Sequence, residues 1–421
     1  MTQPYGNTGR DVLVAIDVAK KQNAVLIRLP DGARKKLTVI NNLAGYRELS
    51  SYLKKLKRPC KIGFEATGNY HRTLAFYLHQ QGFELELISS VAASRTREAM
   101  YNSWDKNDPK DAQVILHMLQ TGLTQIYYDP LEHRINDIQE LSQTYCQVSL
   151  RKTRVQHSIM THYLPLYFPE AAKYYHTSRA AWFTSLLMTF PNPAAVLRYS
   201  REDFIKAAQA VSGRKVNKAA WLRDFYETAR ESISLPVPED SEAIRMVRLV
   251  LQEHQDLCRM LRAIEERAEL YLKDNADYLR LRTIPGIGAV IALIILAEAG
   301  DLRRFSHYKK FLKYRGLNLS TQQSGAFRGL SKLSKYSNSR LRYAFWIAGT
   351  SAIRMRENTF RKKYENYVKF DPQNPDLKRK AYTAVAAKIA RVAYGLVKSG
   401  REYRCYHESS VPSGIILSTG R

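Results

Sequence analysis

Four acidic residues have the types and spacing that metal-dependent attack on a phosphodiester requires. Asp17 ends the apolar run DVLVAID, and Glu65 ends a second apolar run, KIGFE. Asp108 and Asp111 stand three residues apart in KNDPKDA, which places both on one face of a helix. Carboxylate oxygens suit Mg²⁺, and two such ions can activate an attacking oxygen and stabilise a leaving one. The four residues therefore predict a two-metal site.

The elements that would position these acids form an α/β unit over about the first 125 residues. Apolar runs predict five strands, helical spacing predicts four helices, and PDG predicts a hairpin turn between the second and third strands. The order is three strands, helix, strand, helix, strand and further helices, which is the order of the ribonuclease H fold. In that sheet the first and fourth strands are neighbours, so we expect Asp17 beside Glu65, with Asp108 and Asp111 projecting from the final helix.

Taken singly, each acid also fits an ordinary role as a helix cap or a surface residue. Asp108 fits this alternative best, because it precedes Pro109 at a predicted helix start. The metal-site hypothesis depends on all four acids meeting at one edge of the sheet.

The charge of the chain indicates a polyanionic partner. Its 421 residues carry 66 Lys and Arg against 39 Asp and Glu, a formal net charge of +27 with a pI of about 9.8. The electrostatic field of a protein with this positive charge attracts nucleic acid. The excess lies mainly in residues 301–421, so this segment is the leading candidate for a phosphate-binding surface. A solvated basic face without a ligand is the alternative.

The rest of the chain reads as predominantly helical. Two long amphipathic helices in about 126–278 resemble a coiled-coil arm, and they flank a proline- and aromatic-rich insertion at about 165–240. A third domain, about 279–421, opens with TIPGIG, where Gly286 and Gly288 resemble a helix-hairpin-helix turn that could hold a phosphate. The same glycines also fit a tight helix start packed in a core.

The cysteines and the apolar segments indicate in which cellular compartment the protein works. Four scattered cysteines, without CxxC spacing, predict neither a zinc site nor a disulfide framework and fit a reduced cytoplasm. The start of the chain lacks a signal-peptide pattern, and the longest apolar stretch is too short to span a bilayer. We therefore expect a soluble intracellular protein without a membrane partner.

Several motifs together resemble one family. DVAKKQNAV after the first aspartate, FEATGNYHRTLAFYLHQQG around Glu65, KNDPKDAQVI around the aspartate pair, and TIPGIG followed by SG are similar to the DEDD transposases of bacterial insertion sequences. That family also contains the Piv-type DNA invertases. The resemblance covers residues of about 11–125 and 279–350 and implies an N-terminal RuvC-like domain with a mostly helical C-terminal transposase domain.

The resemblance implies further roles. The acidic tetrad of the family falls on Asp17, Glu65, Asp108 and Asp111, with Asp105 a nearby acid outside the motif. Its nucleophilic serine matches Ser324 in STQQSGAFRG, with Ser320 as the alternative, because Ala326 and Phe327 depart from the glycine and basic residues usual after SG. The family forms a covalent phosphoserine with cleaved DNA. A structured noncoding RNA guides it to donor and target DNA.

The implied assembly is a homo-oligomer, a dimer of dimers, in which the serine of one subunit completes the acidic site of another. Mg²⁺ would be the metal, with two ions per site. The protein would be bacterial, cytoplasmic and nucleoid-associated. Candidate residues for contacts to nucleic acid are two glycines and four cations: Gly286, Gly288, Arg328, Lys332, Arg340 and Arg342.

Three functions remain open from the sequence. The first is an RNA-guided transposase with a serine intermediate. The second is a metal-dependent junction-resolving nuclease of the same fold, which would need the tetrad but no serine. The third is a non-catalytic scaffold that binds nucleic acid.

Overall fold

The structure is a computed structural model in which two compact units follow one another, residues 1–135 and 136–421. It describes residues 11–66, 68–102, 108–174, 180–212, 219–317, 319–320, 323–324, 327–328, 332–333, 338–356 and 358–404. In the described residues, no helix is both long enough and apolar enough to cross a membrane.

The N-terminal unit is an α/β sandwich built on one mixed sheet. Its strands are β1 (Val12–Asp17), β2 (Gln22–Arg28), β3 (Arg34–Ile40), β4 (Cys60–Glu65), β5 (Glu84–Ile88) and β6 (Gln125–Ile126). Its helices are α1 (Leu43–Lys55), α2 (Tyr70–Gln80), α3 (Ser90–Tyr101) and α4 (Asp108–Thr121). The sequence predicted this order correctly except for β6, a strand of two residues.

The sheet has the order β3-β2-β1-β4-β5-β6. The first three strands form an antiparallel meander, whereas β4 and β5 run parallel to β1 and β6 runs antiparallel to β5. The turn between β2 and β3 contains Gly32 at φ +94°, which confirms the predicted hairpin. The expected adjacency of the first and fourth strands is confirmed as well.

Side chains alternate between the two faces of β1, and each face is covered by different helices. Val12, Val14 and Ile16 pack in a core with side chains of α1 and α2. Leu13 and Ala15 face the other way, into a core formed mainly by α4. Both faces are therefore buried, as the uninterrupted apolar run of β1 requires.

The C-terminal unit is mostly helical. Its first half contains α5 (Asn136–Ser158), a π-helical turn (Ile159–Tyr163), α6 (Leu164–Tyr167), a 3-10 helix (Pro169–Tyr174), α7 (Ala180–Thr189), α8 (Pro193–Leu197), α9 (Arg201–Ser212), α10 (Ala219–Arg230) and α11 (Glu242–Leu272). Its second half contains α12 (Ala276–Arg282), α13 (Ala289–Ala299), a 3-10 turn (Leu302–Arg304), α14 (Tyr308–Tyr314), β7 (Leu319–Ser320), β8 (Gln323–Ser324), β9 (Phe327–Arg328), β10 (Lys332–Leu333), α15 (Ser339–Ala352), α16 (Thr359–Val368) and α17 (Pro375–Ser399).

The two long helices α5 and α11 pack against each other along a narrow apolar seam. Val148 of α5 meets Leu257 and Leu261 of α11. The Tyr145 hydroxyl donates a hydrogen bond to Glu265 Oε1 at 3.1 Å, and burial together with this carboxylate raises the pKa of Tyr145. The two predicted long helices are therefore present and pack side by side, and their role as a coiled-coil arm stays a prediction.

Between these helices, the insertion forms a small helical bundle with an aromatic core. Its buried rings are Phe168, Phe183, Phe190, Phe204 and Phe225. They pack onto Ile244, Val247 and Leu251, which lie in the first half of α11. The proline-rich stretch is therefore an ordered bundle anchored on the arm.

The hydrophobic core in the second half of the C-terminal unit surrounds α13. Most side chains of α13 are buried, and the helix packs with α15 and α17. A buried cation lies within it: the Arg315 guanidinium sits 4.6 Å from the centroid of the Phe345 ring and 5.3 Å from that of Phe311. Stacking on two rings partly offsets the cost of burying that charge.

Candidate metal site at the carboxyl edge of the sheet

Asp17 and Glu65 lie level with each other on neighbouring parallel strands. The register between β1 and β4 is constant from Val12 opposite Cys60 to Ile16 opposite Phe64, so the next pair in line is Asp17 and Glu65. Adjacent strands are about 4.8 Å apart. Both residues are half-buried at the ends of their strands. Two carboxylates therefore stand side by side at the carboxyl edge.

Both side chains project toward the face of the sheet that α4 covers. In β1 this face carries Leu13 and Ala15, and alternation places Asp17 on it. In β4 the same face carries Gly63, where an added Cβ would lie 2.8 Å from the Leu119 side chain of α4. Glu65 is two residues further along and shares that face.

Helix α4 begins near the same edge, because it runs antiparallel to β1. At its far end, the Gln120 side-chain oxygen accepts hydrogen bonds from Arg28 at 2.8 and 3.1 Å, and Arg28 pairs with Leu13 near the start of β1. The first turn of α4, which carries Asp108 and Asp111, therefore points toward the end of β1. The packed sheet and helix bring three of the four predicted positions to one edge, and the fourth, Asp108, begins the same helix.

Asp111 is a buried carboxylate that an arginine of α3 holds. Only 6% of Asp111 is exposed. Its Oδ1 accepts hydrogen bonds from Arg97 Nε at 2.7 Å and Nη2 at 2.5 Å. A carboxylate this buried requires a nearby positive charge. Arg97 supplies that charge here. Nothing in the local sequence indicates this pairing, because the two residues lie on different helices.

The arrangement falls short of a complete ligand cluster among the side chains that the structure describes. Within these, no group of three Asp, Glu, His or Cys residues is close enough to hold a metal ion. The Asp108 side chain and Asp105 lie outside the described residues. The tetrad as a metal-binding set therefore stays a prediction.

The residues that are described nevertheless fit a divalent cation. Asp17, Glu65 and Asp111 offer only oxygen donors, as Mg²⁺ prefers. Asp111 is already paired with a cation, and a metal would serve the same electrostatic need at a buried carboxylate. The donor set and the burial thus agree with the predicted chemistry.

The histidine nearest in sequence to Glu65 has a different role. The His71 ring packs against Phe64 and Tyr127, with ring centroids 5.9 and 6.2 Å away. Phe64 belongs to the face of β4 opposite Glu65, the face covered by α1 and α2. Burial lowers the pKa of His71, which favours the neutral ring. His71 is therefore a packing residue on the far side of the sheet.

The Arg97 pairing leads to a prediction for stability. We expect Arg97→Gln to lower the free energy of unfolding by about 3 kcal/mol without metal, because Asp111 would remain buried without its counter-charge. Saturating Mg²⁺ should restore more stability to this variant than to the parent protein, since the Asp111 carboxylate would be open to the ion. Urea unfolding with and without Mg²⁺ measures both effects.

The matched control is Arg95→Gln, on the exposed side of the same helix. This variant should unfold close to the parent and respond to Mg²⁺ in the same way. Equal Mg²⁺ stabilisation of the Arg97 and Arg95 variants would contradict a metal role for Asp111.

The candidate nucleophile lies in a short β-hairpin of the C-terminal unit. Ser324 ends β8 and pairs with Phe327 of β9, while Ser320 ends β7, which pairs with β10. Arg328 lies in β9 and Lys332 in β10. The side chains of these four residues are outside the described part of the chain. The choice between Ser324 and Ser320 stays a prediction.

The two cations predicted further along lie in the first turn of α15. The Arg340 guanidinium forms an ion pair of 2.9 Å with Glu298 Oε1. Glu298 also accepts a hydrogen bond of 2.5 Å from Asn338, the N-cap of α15. Arg342 is half-buried. Part of the Arg340 charge is therefore balanced within the protein.

The glycines of PGIG have two different surroundings. Gly286 has φ +87°, and a Cβ there would lie 2.1 Å from the Ala348 carbonyl oxygen and 2.8 Å from the Ala352 nitrogen. Only glycine allows the backbone of α15 to approach this closely. Gly288 is the N-cap of α13, with open space around the position of a Cβ. Gly286 thus serves close packing, and Gly288 leaves the start of α13 accessible.

Two protein-family models match this chain, and both describe transposases. A transposase model for the DEDD type of IS110 matches residues 14–169. The model of the transposase IS116/IS110/IS902 family matches residues 278–365. Together the two matches cover more than half of the chain.

Individual relatives are also transposases. The chain is 29% identical to the transposase of insertion sequence IS1111A from Coxiella burnetii over 44% of its own length and 51% of that protein. It is 25% identical to the mini-circle transposase assigned to IS117 of Streptomyces coelicolor, over 75% of its length and 78% of that protein. It is 32% identical to the transposase of IS1328 from Yersinia enterocolitica over 25% of its length and 33% of that protein.

A mixed sheet of this order, with Asp17 and Glu65 at its carboxyl edge, fits the RuvC-like domain of a DEDD transposase. The chain belongs to the IS110/IS116/IS902 family of insertion-sequence transposases, in the DEDD group. A transposase domain of the DEDD type implies dependence on a divalent metal.

Proposed function

We propose that this protein cuts and rejoins DNA through a phosphoserine intermediate and that a noncoding RNA encoded by its own element guides it. One observation carries the proposal: Asp17 and Glu65 stand level at the sheet edge toward which the first turn of α4 points. This edge lies within residues 14–169, the segment that matches the DEDD transposase model, which supports the proposal.

The acidic edge would hold the metal. Asp17, Glu65, Asp108 and Asp111 would be the ligands, with Mg²⁺ as the ion and two ions per site. Bound there, the metal would neutralise phosphate charge and make a hydroxyl a better nucleophile. The carboxylates position that charge, and Arg97 holds Asp111 in place in the absence of metal. Asp17 and Glu65 come from neighbouring packed strands and Asp111 from the helix that packs on them, which supports the assignment.

Ser324 would be the nucleophile. Its Oγ attacks the phosphorus of a DNA strand and forms a new P–O bond, while the bond from phosphorus to one deoxyribose oxygen breaks. The serine proton passes to a base, and the departing oxygen takes up a proton. A hydroxyl of another DNA strand then attacks the phosphoserine, and Ser324 regains its proton. This sequence breaks and rejoins DNA without an external energy source, because each step exchanges one phosphodiester bond for another.

The proposed partners follow from charge and from the family. Donor and target DNA and the guide RNA would be drawn to the basic excess of residues 301–421. The working assembly would be a dimer of dimers, in which the serine of one subunit acts at the acidic edge of another. The protein would work at the bacterial nucleoid.

The test is a strand-exchange assay with two plasmids, one carrying the junction of the element and the other its target. The purified chain should recombine them with its copurifying RNA and Mg²⁺, and not in EDTA. The sequenced RNA should pair with both plasmids. If no discrete RNA copurifies, the guided mechanism is wrong. If DNA is cut without any covalent protein–DNA adduct, the junction-nuclease alternative replaces the serine mechanism.

A further inference from the structure

A basic groove with exposed aromatic rings runs between α16 and α17, outside every site described above. Its volume is about 890 Å³. The α16 side supplies residues that recur with helical spacing and therefore share one face: Thr359, Lys362, Lys363, Asn366, Tyr367 and, just past the helix, Phe370. The α17 side supplies Lys388 and Arg391, one turn apart.

The two helices form an antiparallel pair that fixes the groove. Lys388 Nζ donates a hydrogen bond of 3.1 Å to the Thr359 carbonyl oxygen, so the start of α16 lies beside the second half of α17. Phe360 is fully buried between them. The groove thus lies between two helices that pack directly on each other.

Charge in the groove is of one sign. The described residues that line it include four cations, Lys362, Lys363, Lys388 and Arg391, and no carboxylate. Three neighbouring acids are not among the lining residues: Glu365 pairs with Arg361 at 2.8 Å, Asp376 pairs with Arg379 at 2.9 Å, and Asp371 accepts a hydrogen bond of 3.1 Å from Asn374. The groove therefore favours a polyanion.

The aromatic rings in the groove narrow the choice of polyanion. Phe370 is 92% exposed, more than any other large apolar side chain in the described part of the chain, and Tyr367 is 44% exposed. Lys363 Nζ lies 5.6 Å from the centroid of the Tyr367 ring. Bases in a duplex are stacked on one another, whereas unpaired bases can stack on protein rings. Exposed rings beside cations therefore fit a single strand better than a duplex.

The length of the groove suits a short stretch of strand. From Thr359 to Phe370 the helical rise spans roughly 16 Å. One strand carries a phosphate about every 3.4 Å when stacked, which corresponds to about four or five phosphates. The groove is therefore long enough for a short run of nucleotides.

We propose that this groove binds unpaired nucleotides of a single-stranded nucleic acid, with phosphates on the cations and bases on Tyr367 and Phe370. The proposal rests on the proposed function in one respect, the nucleic-acid partner. The strand can come from RNA or from opened DNA, because both present the same phosphates and bases.

The experiment measures binding of the full chain to three labelled probes by fluorescence anisotropy: a 20-nucleotide oligouridine, a 20-nucleotide oligodeoxythymidine and a 20-base-pair duplex. Phe370→Ala should weaken binding to at least one single-stranded probe by about 5- to 100-fold. It should change duplex binding by less than about twofold. The probe with the larger loss identifies RNA or DNA as the source. Because Phe370 buries almost no surface, this substitution should not unfold the protein.

A charge variant tests the phosphate contacts. Lys362→Gln together with Lys363→Gln should reduce the slope of log affinity against log salt by about 1.4, since each phosphate contact to a single strand contributes about 0.7. The matched controls are Tyr343→Ala, an exposed ring on α15, and Lys380→Gln, an exposed cation of α17 outside the groove. Both should bind like the parent.

Two results would overturn the groove proposal. One is a Phe370→Ala variant that binds all three probes like the parent, and the other is an equal loss for duplex and single strands. Because other basic surfaces contribute to affinity, photo-crosslinking with 4-thiouridine in the oligouridine supplies a direct readout. Crosslinks should map to the peptide containing Tyr367 and Phe370, and crosslinks confined to other peptides would contradict the proposal. A parent protein that binds none of the probes would instead refute the proposed function itself.

Discussion

We expect Asp17→Asn to reduce DNA cleavage and strand exchange by at least about 1000-fold, because loss of one metal-binding carboxylate removes several kcal/mol of transition-state stabilisation. Asparagine has nearly the same shape as aspartate, and Asp17 is only half-buried at the end of β1. The fold and the affinity for DNA should therefore be unchanged. Plasmid recombination, oligonucleotide cleavage and thermal unfolding measure the three properties.

The matched control is Asp11→Asn, because Asp11 precedes the other end of the same strand. It should retain the activity of the parent. Glu65→Gln should reduce DNA cleavage and strand exchange as much as Asp17→Asn does. The double variant should lose no more activity than either single variant, since the two neighbouring carboxylates act as one unit. An Asp17→Asn variant as active as the parent would refute both enzymatic hypotheses, because both require the acidic tetrad.

The second large effect concerns Ser324. We expect Ser324→Ala to reduce both strand exchange and the covalent protein–DNA adduct by at least about 1000-fold, because in the proposed mechanism the strand breaks only when Ser324 attacks it. Mg²⁺ binding should persist, since the serine is not a proposed ligand. Denaturing gels detect the adduct, and peptide mapping by mass spectrometry locates the phosphoserine.

Ser320→Ala is the informative control, because Ser320 lies in the neighbouring short strand β7 and is the alternative nucleophile. It should form the adduct at the level of the parent. If Ser320→Ala instead eliminated the adduct while Ser324→Ala kept it, Ser320 would be the nucleophile. If Ser324→Ala still cut DNA at the rate of the parent, the enzyme would be a junction nuclease.

Local sequence was sufficient to predict the main strands and helices of the N-terminal unit. DVLVAID and KIGFE are uninterrupted apolar runs because both faces of β1 and β4 are covered, and each run ends at an acid where the strand reaches the edge. Glycines and PDG marked the turns, because positive φ and tight reversals limit the residue types allowed there. The family resemblance then supplied the serine and the RNA, which no periodicity indicates.

Contacts between distant residues could not be predicted in this way. The Arg97 contact with Asp111 joins two helices whose approach depends on how both pack on the sheet. The role of Gly286 depends on α15, more than 50 residues later, and PGIG alone fitted a phosphate turn equally well. The groove between α16 and α17 exists only because the helices pair and their acids turn toward other cations.

The sequence by itself determined the types of element, the four acids at strand and helix ends, and the basic excess. These follow from local periodicity and from composition. The tertiary structure decided that Asp17 stands level with Glu65, that an arginine holds Asp111, and that basic and aromatic side chains line a groove. The physical reason is that strand register and helix packing are set by the whole core, which no short segment contains.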